Sequence, residues 1–225
     1  MTNPRFTLIY DDPAAAAKSL ANPGTRAGRA FRGLVAGAMD VLGLGSTVDS
    51  AHRRPALVFP GAFNPIHHGH EAMAAHAMAR LQAPVLFELS IANVDKPPLA
   101  AEHAATRCQL FNEKNILLTN APTFIEKSKL FPGATFVVGI DTAERIVDPR
   151  YYDGETARDA ALAGLEAAKT QFLVFGRRDG DHFKTLQSIV MPPLMRNLCV
   201  EVAESEFRAD ISSTQVRATK DDSLS

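Results

Sequence analysis

The sequence has no tryptophan, so any aromatic stacking surface has to come from its 13 phenylalanines and 3 tyrosines. It has two cysteines, Cys108 and Cys199. A lone pair so far apart is a poor disulfide framework for a chain of 225 residues, and reduced thiols in a cytoplasmic protein are expected. Neither sign of charge is in excess. The formal net charge of -1 argues against nucleic acid and against an anionic membrane surface as partners, while leaving room for a small anionic substrate. Long apolar runs are missing as well. The start carries only five apolar-leaning residues, Phe6 to Tyr10, before Asp11 and Asp12. That is too short and too acidic for a secretory signal. Phe31 to Leu44 is interrupted by Arg32 and Asp40 and cannot span a bilayer.

What is present is an ordinary globular composition, 46% apolar and 22% charged, long enough for one substantial core. Residues 1–54 are rich in Ala, Gly and Arg. Ala27, Ala30, Leu34, Ala38 and Leu42 recur at helical spacing, which predicts one amphipathic helix over 25–43 and a linker from Gly43 to Arg54. Gly28, Gly33 and Gly37 weaken that helix. We therefore expect a helical N-terminal extension and linker over 1–54, a main domain over 55–219, and a frayed tail over 220–225.

From Pro55 onward, short apolar runs alternate with helix-like stretches. The runs are Ala56–Phe59, Val85–Ile91, Ile116–Thr119, Thr135–Ile140, Phe172–Phe175 and Leu198–Val202. Their density in Val, Ile, Leu and Phe fits strands buried on both faces. Between the first two, Met73, Ala74, Ala77, Met78 and Leu81 form an apolar stripe on a helix over 69–82. The order predicts an α/β fold, a Rossmann-like doubly wound parallel sheet of five to six strands with helices on both faces. Ligands of such a sheet bind at the carboxyl ends of the strands, so the loops after Phe59, Ile91, Ile140 and Phe175 are the candidate sites.

The first of these loops is Gly61-Ala62-Phe63-Asn64-Pro65-Ile66-His67-His68-Gly69-His70. Gly61 allows close backbone approach to a ligand, and Pro65 stiffens the turn. His67 and His70, three apart at a helix start, lie on one side beside free N–H groups and the positive end of the helix dipole, which suits a polyphosphate. Zinc is the competing use of His67, His68 and His70. No cysteine lies near, and the second histidine of H-E-x-x-H is missing, so no metal ligand is assigned. Near the C-terminus comes Ile211-Ser212-Ser213-Thr214-Gln215-Val216-Arg217. The serines are good N-cap residues at a helix start, and Arg217 would lie one turn on, over the same anion.

The first loop resembles the G-x-F-x-P-x-H-x-G-H signature of the nucleotidyltransferase superfamily, and the second segment resembles its I-S-S-T-x-[IV]-R motif. The resemblance covers residues 55–217 and is nearest to nicotinamide and nicotinate mononucleotide adenylyltransferases. It implies that His67, His70, Lys96 and Arg217 are catalytic. It implies nucleotide binding by Gly61, Phe63, Asn64, Gly69, Gly139, Asp141, Arg178, Ile211, Ser212, Ser213 and Thr214. Gly139-Ile140-Asp141 is similar to the family's G-x-D, whose carboxylate can accept ribose hydroxyls. Arg178-Asp179-Gly180 is similar to R-P-G, with Asp in place of Pro, and Arg107 is similar to a further family arginine.

The expected reaction is adenylyl transfer. An acceptor phosphate attacks the α-phosphorus of ATP in line and pyrophosphate leaves, helped by Mg2+ bound mainly through substrate phosphates. The partners are ATP and a phosphorylated small-molecule acceptor; a homo-oligomer is left open. A pyridine mononucleotide acceptor would place the protein in NAD biosynthesis. Those relatives often stack the pyridine on a tryptophan, for which Phe124, Phe131, Tyr151 or Tyr152 would have to substitute. Competing readings are a cytidylyltransferase, a pantetheine-phosphate adenylyltransferase, a non-catalytic nucleotide-binding regulatory module, and a class I aminoacyl-tRNA synthetase fragment. The last rests on Glu126-Lys127-Ser128-Lys129 as a partial lysine loop.

Overall fold

The computed structural model describes residues 4–9, 12–45, 57–92, 97–111 and 116–208. Six strands correspond to the six apolar runs: β3 (Leu57–Pro60), β4 (Val85–Ser90), β5 (Ile116–Thr119), β6 (Thr135–Gly139), β7 (Gln171–Phe175) and β10 (Cys199–Val202). All six run parallel, in the order β5-β4-β3-β6-β7-β10. They are apolar at almost every position because both faces are covered.

Helices α3 (His68–Leu81) and α4 (Ala101–Gln109) pack on one face, where Ala74, Ala77, Ala104 and Cys108 join Phe59, Phe87 and Leu89. The other face carries α5 (Phe124–Leu130), α6 (Ile140–Val147), α7 (Glu155–Ala167) and α8 (Pro193–Leu198). There Ala143, Leu162, Leu165 and Met195 meet Val58, Leu86, Phe136 and Phe172. The fold is thus a Rossmann-like α/β sheet with helices on both faces. A small hairpin of β8 (Arg177–Asp179) and β9 (His182–Lys184) follows β7.

The first 45 residues differ from the single-helix expectation. They form β1 (Phe6–Ile9), α1 (Pro13–Lys18), α2 (Arg26–Val35) and β2 (Val41–Leu44). The helix predicted over 25–43 ends at Val35, because Gly37 turns the backbone left-handed at φ 69°. Gly43, read as the start of a linker, lies inside β2. Every residue of β2 is buried; it pairs antiparallel with β5 and parallel with β1, extending the sheet to eight strands among the described residues.

The chain winds from β3 outward to β4 and β5, then crosses back to place β6 on the other side of β3. The topological switch therefore lies between β3 and β6. The histidine loop after β3 and Gly139 after β6 flank that crevice.

Candidate active site at the switch point

Gly61 leaves β3 with its N–H donating to the Glu88 carbonyl of β4, 3.0 Å away. Its lack of a side chain makes room for a neighbour: a Cβ here would lie 2.7 to 3.0 Å from atoms of the Phe63 ring. Phe63 holds a left-handed backbone, φ 43°, and its ring is fully buried. It packs edge-on against Phe59, Phe87 and Phe111. Phe63, expected to bind nucleotide, thus sits beneath the site as its floor, with its ring centroid 5.2 Å from that of His70. Asn64 lies on the exposed rim of the loop, and Gly69 is buried within the first turn of α3.

His67 is the N-cap residue of α3, and its N–H donates to Nδ1 of His70, 3.3 Å away. The two imidazoles stack with centroids 3.8 Å apart. Because Nδ1 of His70 accepts, the neutral ring carries its proton on Nε2, which is then a donor. Burial, followed by the neighbouring His67, pushes His70 down to about 4 against a weaker opposing pull from Glu71. At neutral pH it is uncharged. His67 is also lowered, by burial first and then by His68.

Both ring nitrogens of His67 are buried and have no hydrogen-bond partner among the described residues. An unpaired buried polar group of this kind costs about 1–3 kcal/mol. Here it stands at a helix N-terminus, where the first-turn N–H groups and the dipole favour an anion.

Across the switch, Gly139 is the N-cap residue of α6, with open space where a Cβ would be, and Asp141 lies in the first turn of that helix. The Asp141 carboxylate is engaged by Arg177. A second ion pair, Lys184 with Glu144 at 2.7 Å, ties the same hairpin to α6 one turn further on. Arg178 lies on the alternate side of β8, opposite Phe183 in the register, and its Nε donates to the Gly180 carbonyl. The residue that sequence reasoning missed is Arg177. The doubled Arg177-Arg178 was the signal, and strand alternation sends their side chains to opposite sides of β8.

Arg107 on α4 reaches back to the loop, its Nη1 donating to the Ala62 carbonyl at 3.0 Å. Lys96 and the segment carrying Ile211, Ser212, Ser213, Thr214 and Arg217 lie outside the described residues. The chain leading toward that segment returns to α3. Glu206 pairs with Arg80, and Phe207 packs on His76 and Phe175.

Other expectations meet clear outcomes. Lys127, central to the lysine-loop comparison, is 4% exposed. Its ammonium donates to both Glu88 carboxylate oxygens and to the Ala121 carbonyl, each at 2.8 Å. It is sealed beneath the sheet and is no phosphate ligand. Phe124 packs on Phe136 and Phe172, Phe131 is buried, and the Tyr152 hydroxyl donates to the Ile146 carbonyl. Tyr151, 41% exposed, follows α6 at the end of that helix away from Asp141. Cys108 and Cys199 are free thiols, each pushed up to about 12 by burial. Among the described residues, no helix is long and apolar enough to cross a membrane.

A parallel α/β sheet, an H-x-G-H loop capping the helix after the first strand of the parallel six, and a G-x-D facing it across the switch together define a nucleotidyltransferase domain. The family model described as cytidylyltransferase-like matches residues 58–219, and the chain belongs to that family. No curated protein shows significant similarity to the sequence.

Proposed function

We propose that this nucleotidyltransferase transfers AMP from ATP to a phosphorylated acceptor, nicotinamide or nicotinate mononucleotide, forming the dinucleotide and releasing pyrophosphate. The observation that carries the phosphate chemistry is the stacked His67–His70 pair at the start of α3, with His67 unpartnered and His70 neutral. The acceptor phosphate is already anionic and needs no side-chain nucleophile. Catalysis is then alignment and charge stabilisation. His70 Nε2 and the His67 ring donate to oxygens on the α-phosphate as charge shifts toward the leaving pyrophosphate. Lys96, Arg217 and the segment from Ile211 to Thr214 hold that pyrophosphate. Asp141 accepts ribose hydroxyls once Arg177 yields it.

The donor set at the crevice is imidazoles plus one ion-paired carboxylate, which fits a magnesium ion held chiefly through substrate phosphates. When bound, such an ion neutralises phosphate charge. Support for the pyridine mononucleotide comes from the joint presence of G-x-F-N-P-x-H, G-x-D and I-S-S-T-x-V-R in the sequence.

The test is pyrophosphate release from the whole protein with magnesium, ATP or CTP, and a panel of phosphorylated acceptors. ATP with a pyridine mononucleotide is expected to give release, and His70→Ala to abolish it. Release with CTP alone would reassign the donor, and release with phosphopantetheine alone would reassign the acceptor. No release with any pair would favour a binding module.

A further inference from the structure

The histidine loop adopts a backbone that it does not favour by itself. Phe63 is left-handed at φ 43°, a conformation that costs a side-chain-bearing residue about 1–3 kcal/mol and persists only when surroundings impose it. Phe59 and Phe87 of the sheet pack on the Phe63 ring, and a further restraint comes from the C-terminal end of α4 and the residues just beyond it. Arg107 donates to the carbonyl of Ala62, and Phe111 packs its ring 5.1 Å from that of Phe63. Arg107 lies in the last turn of α4 and Phe111 just beyond its C-cap Leu110, and between them they hold two consecutive loop residues.

Arg107 is not needed to dock α4, which is already seated by buried Ala104, Ala105 and Cys108. No carboxylate among the described residues pairs with it, and burial lowers its pKa. A charged guanidinium makes a stronger hydrogen bond to a carbonyl than a neutral donor does. From Ala62 and Phe63 the restraint passes to His70, whose ring lies against Phe63, and through the stack to His67.

We propose that Arg107 is a positioning residue of this active site, fixing the two histidines through the Ala62 carbonyl without itself touching substrate. The catalytic part of this assignment rests on the nucleotidyl-transfer reading; the structural part does not. Two measurements separate them. The first is amide hydrogen exchange at Gly61, whose N–H is bonded to the Glu88 carbonyl at the base of the loop. Val174 in β7 serves as the control for global opening. In Arg107→Met, exchange at Gly61 is expected to rise about tenfold or more with Val174 unchanged, because loss of the clamp is a local opening.

The second is steady-state kinetics. The variant's kcat should fall on the order of 10- to 100-fold, with KM for each substrate changing less than about threefold, as misplaced catalytic groups produce. Arg107→Lys keeps the charge and most of the stem; it should be intermediate in both readouts and serves if Arg107→Met does not fold. Unchanged Gly61 exchange overturns the clamp. Faster exchange with unchanged kcat overturns its catalytic role, as does a rise in KM alone, which would make Arg107 a substrate ligand. A wild-type protein with no turnover would count against the proposed function, while the exchange comparison would still decide the clamp.

Discussion

At the scale of single residues, the site depends on desolvation. Burial, then His67, pushes His70 down to about 4 and leaves it neutral at pH 7, while burial, then His68, shifts His67 in the same direction. The same burial links this loop to stability. His70 titrates near 4 in the folded chain and near 6.5 when unfolded. As pH falls, the unfolded state takes up its proton first, so the stability tied to His70 is complete above about 6.5 and is lost progressively toward 4. The two values imply a loss of up to about 3 kcal/mol over that window. Urea unfolding at pH 7 and pH 4.5 should therefore show a steeper loss for the wild type than for His70→Gln. Equal losses would mean that His70 is not desolvated as described. The same scale explains why Gly61 and Phe63 were legible as motif positions but not in their roles. Their spacing is written in the chain, whereas the ring that fills the space beside Gly61 is a tertiary neighbour.

At the scale of elements, a buried polar knot beneath the sheet ties α5 to the strands at the crevice. Glu88 of β4 is fully buried and accepts from Lys127 of α5 and from Thr119 of β5. Its carbonyl holds Gly61. Removing the ammonium would leave a carboxylate unpaired in the interior, so Lys127→Met should cost about 3–5 kcal/mol in chemical denaturation. Replacing both partners, Glu88→Leu with Lys127→Met, should cost distinctly less, because no uncompensated charge remains. Equal costs for the single and double variants would sink this account. The strands themselves were legible in sequence, since a parallel strand covered on both faces must be apolar throughout and stands out against polar loops. The β8–β9 hairpin was not. It is three residues a side with a single apolar residue, Phe183, and its ion pairs to α6, Arg177 with Asp141 and Lys184 with Glu144, join groups about 40 positions apart.

At the scale of the whole molecule, the N-terminal segment is part of the sheet. β2 covers the edge of β5, where Ile116, Leu117 and Leu118 are completely buried, while α1 and α2 bury Ala17, Leu34 and Phe31 against the same core as the histidine loop. A chain starting at Pro55 would expose that strand edge and the apolar surface beside it, which invites association. The fragment 55–225 is expected to have a lower thermal midpoint than the full chain and to aggregate at lower temperature, measured by scanning calorimetry and light scattering. A fragment as stable and soluble as the whole would show that the first 54 residues are an accessory to the domain.

The amino-acid sequence by itself determined the six parallel strands, the helix that follows the first of them, and the H-x-G-H loop at its start. Each depends on local pattern: uninterrupted apolar runs, a 3.6-residue stripe, and fixed spacing at a helix start. Only the tertiary structure decided that Val41–Leu44 is a strand, that Arg177 meets Asp141, that Lys127 is sealed against Glu88, and that Arg107 grips Ala62. These depend on partners 30 to 50 positions away in the chain or more, and no local period encodes which distant groups will be brought together. The cluster Gly61–His70 was readable as chemistry from the start. What holds its histidines stacked and in place is the packing of β4, α4 and α3 around it.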